Sequence, residues 1–388
     1  MTSPRIAVIG AGIVGSAVAR ALALRGAAVW LLDRDDRAEA TTRISFAWVN
    51  AHRKREPHYH ALNVAGMAEH HTLAARLDPH RRWHFPTGHL EFATDPEHAA
   101  RIEADLRELH ALDYPGQRVS REWARAREPW VRIPDDAETI AFFPSEGFVL
   151  PVVLNDALID HAQALGAHVD LRAEVLDIAE GASHLTLRCR DRPALEVDQV
   201  VICAGRWTER LADGLGLPVP LVAADEPASA ATAFQARTAP LPIEVNGVIT
   251  TSVGNLRPEA GGRLVFQAHD LDTEANPDTV PPAHVTEELR RRLAGILRVD
   301  VAAVRASVGR RVLPVDGLTI AGHLDARRAV YAVATHSGVT LGPLLGRLVA
   351  EELIDGRSSP LLATFGPERF RDRTEHVPAR KLLVQGGD

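Results

Sequence analysis

The sequence predicts an α/β protein in which a Rossmann-type nucleotide-binding domain is split by two insertions. A strand-like run ends in a G-x-G-x-x-G turn, a second apolar run ends on an acid, and strand–helix alternation resumes only after long polar and Pro/Trp-rich stretches. The first strand is Arg5-Ile6-Ala7-Val8-Ile9 and the turn is Gly10-Ala11-Gly12-Ile13-Val14-Gly15. Gly10 permits the tight turn, Gly12 lets the backbone approach a pyrophosphate, and Gly15 lets the following helix pack on the strand. The pyrophosphate is expected at the helix N-terminus, where unpaired N–H groups and the helix dipole favour negative charge. Arg25-Gly26 stops the helix, Ala28 to Leu32 form the second strand, and Asp33 lies 18 residues after Gly15, spaced to accept hydrogen bonds from a ribose 2′-hydroxyl. That carboxylate would repel a phosphorylated ribose, which disfavours NADP.

After Asp33 comes a polar loop, Ala40 to Ser45, and a helical stretch from about Pro57 to Leu77. Residues 82–142 hold a short strand at 89–93, a helix at about 96–112 and a Pro/Trp-rich section, and read as an inserted cap. The alternation returns at 144–151, with a helix at about 153–165 stopped by Gly166 and a strand at 168–171. An alternating pair at 185–189 and 195–197 precedes the strand Gln199 to Cys203, which ends on small residues, as a strand must where a cofactor crosses its carboxyl end. A second polar insertion, 217–303, carries a surface helix at about 283–297. The strand 329–334 then feeds the loop 335–342 and a helix from Pro343 to about Ile354, with Pro343 expected at its first position. This assigns 1–81, 144–216 and 304–388 to the nucleotide-binding domain, and 82–143 and 217–303 to a substrate domain.

Composition narrows the function. The chain has 388 residues, enough for two domains and a large cofactor, with 46% hydrophobic and 24% charged residues. Only the last residues, 385–388, look frayed. A net charge of −7 with no long basic run argues against nucleic acid and anionic membranes, and leaves a small-molecule substrate. Cys189 and Cys203 are the only cysteines, so no disulfide framework or zinc cluster is available, and both read as buried thiols. The N-terminus carries the nucleotide fingerprint rather than a signal peptide and no run reaches membrane-spanning length, so a cytoplasmic protein is expected. Lys54 and Lys381 are the only lysines.

Taken together, these residues resemble the D-amino-acid oxidase superfamily of FAD enzymes, which includes glycine oxidase and sarcosine oxidase. The resemblance spans nearly the whole chain: Gly10 to Gly15 with Asp33, Thr42-Arg43-Ile44-Ser45, Pro144 to Pro151, Cys203 to Trp207, Gly309-Arg310-Arg311 leading to Asp316-Gly317, and His336-Ser337-Gly338 with Gly342-Pro343. It implies an FAD-binding, glutathione-reductase-like Rossmann domain split by a mixed-sheet substrate domain. It also implies that FAD is contacted by Gly10, Gly12, Ile13, Val14, Gly15, Asp33, Arg34, Thr42, Arg43, Ser45, Val175, Ala204, Gly205, Trp207, Gly338, Val339 and Thr340. The C-terminal glycine loop and its helix dipole would face the flavin pyrimidine edge and raise its tendency to accept a hydride. No cysteine lies near Ser307-Val308-Gly309, where sarcosine oxidases tether their flavin, so the FAD is expected to be noncovalent.

Arg311 matches the family arginine that clamps a substrate carboxylate, a task suited to a planar guanidinium; Arg310 is the alternative, because Val312 stands where the family often has proline. The carboxylate-binding positions of sarcosine oxidases fall on Phe46 and Thr340, neither charged. His336 is either a polar neighbour of the flavin or a proton acceptor. Reoxidation by O₂ needs a nearby positive charge; Val265 stands where sarcosine oxidases have a lysine, which leaves Arg43, His52, Lys54 or His336 to supply it. His58, His60, His70 and His71 lack ligand spacing and predict no metal. Asp225-Glu226 reads as an exposed pair, and Trp48 and Trp207 as packing residues. The expected reaction is oxidation of an α-amino or N-substituted amino acid, with hydride transfer to flavin, imine hydrolysis, and O₂ reoxidation to hydrogen peroxide. The alternatives are an amino-acid or 2-hydroxy-acid dehydrogenase with another acceptor, and a non-catalytic flavin-binding protein. A homo-oligomer is left open.

Overall fold

The computed structural model describes residues 3–77, 80 and 82–372. The expected frayed tail at 385–388, and Lys381, lie outside these residues. A six-stranded sheet has the order Ile320–His323, Val330–Ala334, Gln199–Ile202, Arg5–Ile9, Ala28–Asp33, His168–Leu171, parallel except for its first, edge strand. Parallel strands are buried on both faces, and successive side chains divide accordingly. Ile6 and Val8 pack with Val18, Leu22, Leu62, Ile159 and Leu345 of four helices, Ile13–Leu24, Pro57–Ala74, Pro151–Ala164 and Gly338–Asp355. Ala7 and Ile9 pack on the other side with Ile178, Leu187 and Val197 of the three-stranded sheet Val175–Glu180, Leu185–Cys189, Leu195–Val197.

The eight-stranded sheet has the order Val304–Arg310, Thr232–Thr238, Arg263–Gln267, Gly254–Glu259, Val248–Thr251, His89–Phe92, Ile140–Phe143, Gln117–Arg118, with one parallel pairing, Val248–Thr251 against His89–Phe92. Phe234, Leu256 and Phe266 on one face pack with Val285, Leu289 and Leu293 of the helix Ala283–Ile296. Residues 304–310, grouped by the sequence with the nucleotide-binding part, pair along Thr232–Thr238 in this sheet. The alternation of that strand matches its partner, a long-range pairing no local pattern reports.

Pro343 departs from expectation. The helix begins at Gly338, so Pro343 lies inside it. Proline lacks the N–H that would reach the carbonyl four residues back. That carbonyl, on Val339, instead accepts a 2.9 Å hydrogen bond from His70 Nε2. Burial lowers the His70 pKa from 6.5 to about 4, so the ring stays neutral and donates. His70→Ala leaves the Val339 carbonyl buried without a partner, and a loss of about 1–3 kcal/mol in urea unfolding is expected. In the wild type the unfolded chain binds a proton between about pH 4 and 6.5 that folded His70 does not, so stability falls as pH drops through that window. The fall should be shallower in His70→Gln.

No helix among the described residues is long and apolar enough to cross a membrane.

Candidate active site

The first glycine turn is shaped by close approach as well as by conformation. Gly10 has φ 107°, and a Cβ there would lie 2.3 Å from the Cys203 carbonyl oxygen; one on Gly15 would lie 1.8 Å from the Gly10 carbonyl oxygen. At Gly12 the nearest atom is Thr42 Oγ1 at 3.3 Å, so the helix N-terminus stays open toward a cavity. The helix has no side-chain cap from Gly12; Ile13 N–H is met by Thr42 Oγ1 at 3.1 Å. Asp33 receives Ala11 N–H at 2.6 Å and Asp35 N–H at 2.9 Å while lining the same cavity, and burial pushes its carboxyl up against those bonds.

Beyond Asp33 the Trp207 ring lies between two guanidiniums, Arg34 at 3.5 Å and Arg206 at 3.9 Å from its centroid. Val175, Ala204 and Gly205 line this end. Trp207 is therefore a cation-flanked platform on the cavity wall as well as a packing residue. Asp225 pairs with Arg206 and, at 3.2 Å, with Arg310, so it serves the protein's own cations.

The 40–55 segment forms the adjoining wall. Thr42 points inward and is buried, which turns its neighbour Arg43 out. Arg43 is 48% exposed, pairs with Glu39 at 2.5 Å and is not among the cavity-lining residues, which corrects its expected place beside the cofactor and O₂. Ser45 lines the cavity and its Oγ accepts Ala47 N–H. Fully buried Arg257 donates to the carbonyls of Phe46 and Ser45 and fixes this turn. Val265 is also fully buried, opposite Arg257 in the sheet and outside the lining, which corrects its expected site.

Arg53 adopts φ 58° and reaches Glu91 at 2.6 Å and Asp105 at 3.2 Å. Lys54, 5% exposed, lines the cavity. It makes no ion pair within 4.0 Å among the described residues. Burial lowers its pKa from 10.5 to about 8, opposed by Glu146. His52 sits outside the lining, its Nε2 3.5 Å from Glu91 and 3.4 Å from Asp105. His52, His89 and Glu91 bring one possible ligand atom each within 4.8 Å, a grouping different from the four histidines weighed in the sequence. Arg53 and Arg55 already balance the carboxylates of this cluster. Glu146 accepts from Trp48 Nε1 (2.9 Å), His52 N–H (3.1 Å) and Tyr114 (2.8 Å), tying the cluster to the cavity wall.

At the far wall, Gly338, Val339 and Thr340 open the last long helix into the cavity. Thr340 Oγ1 bonds the Trp48 carbonyl at 3.2 Å. His336 lines the cavity half-buried; its pKa is held well below 6.5 by desolvation, then by Arg311, Lys54 and His269. It is neutral, so it carries no positive charge toward O₂.

The eight-stranded sheet roofs the cavity with the residues that alternate away from its core, Gln235, Asn255 and Gln267. Arg310 and Arg311 both line it, with different company. Arg310 reaches the exposed Asp278 at 2.8 Å and Asp225. Arg311, 19% exposed, lies 3.1 Å from His269 Nδ1 and 3.4 Å from Asp272 Oδ2. His269 and Asp272 were missed in the sequence: they sit in a short turn, His269–Glu274, whose polar composition carries no motif.

The chain matches the family model described as FAD dependent oxidoreductase over residues 5–352. It is 24% identical to one of the subunits of the opine oxidase of Rhizobium meliloti over 371 residues, 94% of this chain and 96% of that protein. Its fold matches the glycine oxidase of Geobacillus kaustophilus with a TM-score of 0.79 at 22% identity, covering 97% of this chain and all of that one. The iminodiacetate oxidase of Chelativorans sp. BNC1 gives a TM-score of 0.77 at 21% identity, over 94% of this chain and all of that one.

Proposed function

Because the chain belongs to the FAD dependent oxidoreductase family, the D-amino-acid oxidase type, we propose that it oxidises the C–N bond of an α-amino or N-substituted amino acid and passes the electrons to O₂. The chain is an oxidoreductase for amino-acid-like substrates with FAD as cofactor. The open glycine turn, the buried acceptor Asp33 and the second helix N-terminus at Gly338 fit that group. In this reading Gly10, Gly12, Ile13, Val14, Gly15 and Thr42 hold the pyrophosphate, and Asp33 the ribose. Arg34, Val175, Ala204, Gly205 and Trp207 flank the adenine end, with Ser45, Gly338, Val339 and Thr340 at the flavin. When bound, FAD accepts the hydride from the substrate Cα.

The observation that supports the substrate assignment is Arg311, a cavity-lining guanidinium beside the cavity-lining His269, while Arg310 pairs with the exposed Asp225 and Asp278. Arg311 fixes the carboxylate and so orients Cα, and water hydrolyses the released imine to a carbonyl compound and an amine. The names of the relatives, an opine oxidase, a glycine oxidase and an iminodiacetate oxidase, support amino-acid-like amines. Aerobic incubation with glycine, N-methylglycine and iminodiacetate tests the reading: one hydrogen peroxide should form per carbonyl product. Carbonyl product without peroxide would replace O₂ by another acceptor, and no product from any amine would reject the assignment. The missing tether cysteine also predicts that acid precipitation leaves yellow FAD in the supernatant; a coloured pellet would refute noncovalent binding.

A further inference from the structure

The cavity wall carries a second buried cation to which a single substrate carboxylate gives no partner. Lys54 lines the cavity, is buried, and its ammonium pairs with no carboxylate among the described residues. Glu146 acts on it only from farther away, and both Glu146 oxygens are taken: Oε1 by Tyr114 at 2.8 Å and the His52 N–H at 3.1 Å, Oε2 by Trp48 Nε1 at 2.9 Å. Arg53, its chain neighbour, is by contrast met by Glu91 and Asp105. A charge withdrawn from water is costly unless an opposite charge meets it, so Lys54 lacks what Arg53 already has. Asn50, on the same segment, is also buried and lines the cavity. Its backbone N–H approaches Thr340 Oγ1 at 3.5 Å, while its side-chain amide has no hydrogen-bond partner among the described residues. That amide can donate to a carboxylate beside the ammonium.

The two cations belong to one end of the cavity. Lys54 Nζ lies 5.8 Å from the Tyr59 ring centroid, and the Tyr59 hydroxyl bonds Ser337 Oγ at 2.7 Å, next to His336 in the chain. Arg311 reaches the same place from the roof, since Arg311 and Lys54 both act on the His336 ring and help to keep it neutral. The neutral ring does not compete with either cation for an anion. The pyrophosphate of the cofactor is assigned to the other glycine turn, at Gly10 to Gly15, and leaves the Lys54 charge unmet.

Resting on the amine-oxidation reading above, we propose that the substrate is a dicarboxylated amine, with one carboxylate held by Arg311 and the second by Lys54 and Asn50, so that the reacting C–N bond lies between two anchors. The second carboxylate belongs to the N-substituent, as in iminodiacetate, or to the side chain, as in aspartate; either presents the same group to the ammonium. A monocarboxylate leaves Lys54 buried and unpaired, so the wall selects against amino acids with apolar substituents. When product leaves, the ammonium is again unpaired.

Two pairs of redox-inert ligands test this without turnover. Thiodiglycolate and (ethylthio)acetate are amine-free counterparts of N-substituted glycines, succinate and butyrate those of amino acids with a side chain, and within each pair a methyl group replaces one carboxylate. In calorimetric titrations of the flavoprotein, at least one dicarboxylate should bind about 10-fold or more tightly than its partner, and the pair that shows this identifies where the second carboxylate sits. Lys54→Met should shrink that margin to less than about 2-fold by weakening the dicarboxylate alone, and Asn50→Ala should shrink it several-fold. Equal affinities within both wild-type pairs, or equal weakening of both members in Lys54→Met, would overturn the proposal. Loss of FAD from Lys54→Met would assign the lysine to the cofactor and overturn it as well. A wild-type flavin bleached by an amine, with no preference for either dicarboxylate, keeps the oxidation and rejects the second anchor. A preference without bleaching by any amine rejects the oxidation and keeps the anchor.

Discussion

Arg311→Ala is expected to lower kcat/KM for carboxylated amines by roughly 10²-fold or more, and to affect the matching decarboxylated amines far less. Each charge-assisted hydrogen bond to a carboxylate is worth about 1.5–3 kcal/mol, so loss of a two-point clamp reaches that magnitude even after the cost of leaving Asp272 is deducted. Arg310→Ala should change little, because its guanidinium already serves the exposed Asp225 and Asp278. Steady-state kinetics on glycine against methylamine, and N-methylglycine against dimethylamine, make the comparison. Equal losses on both members of each pair would reduce Arg311 to a structural partner of Asp272.

Lys54→Met is expected to slow reaction of the reduced enzyme with O₂ by about 10²-fold, the usual scale for removing one preorganised charge from a water-poor site, while the anaerobic reduction rate holds. Four groups were candidates for that charge, and their surroundings separate them. Arg43 is outside the cavity, His52 lies among Glu91 and Asp105, and His336 is neutral. Lys54 alone of the four combines burial, a place on the cavity wall and a pKa of about 8. The ammonium is present below that pH and lost above it, so wild-type reoxidation should fall as pH rises through about 8, and the methionine variant should be slow and flat. Stopped-flow mixing of photoreduced enzyme with oxygenated buffer reads both. Wild-type reoxidation no faster than that of free reduced flavin would favour a dehydrogenase.

What was legible in the sequence follows the range of the interactions involved. Gly10, Gly15 and Asp33 could be read because the turn conformation and the helix–strand spacing they serve belong to one strand–helix–strand unit: Gly10 has φ 107° and Gly15 packs on the Gly10 carbonyl, although the close approach of Cys203 to Gly10 is long-range. The start of the helix Gly338–Asp355 was misread because Pro343 normally marks a first turn; its tolerance inside the helix depends on His70, far earlier in the chain, meeting the Val339 carbonyl. The direction of Arg43 follows from Thr42 turning inward to the first helix, again a long-range contact. His269 and Asp272 carry no local signal, since their pairing acquires meaning only when the strand ending at Arg310 brings Arg311 beside them. Motifs that bind a common cofactor repeat in sequence, whereas the roof that recognises a substrate is assembled from segments far apart.

The central claim, oxidation of a carboxylated amine by bound FAD, is tested most directly by anaerobic mixing of the purified flavoprotein with a panel of amino acids, N-alkylglycines, iminodiacetate and 2-hydroxy acids while flavin absorbance is followed. The account predicts rapid bleaching by at least one carboxylated amine, far slower bleaching by its decarboxylated counterpart, and none by 2-hydroxy acids. A flavin that stays oxidised with every amine, or that is bleached only by 2-hydroxy acids, would contradict it.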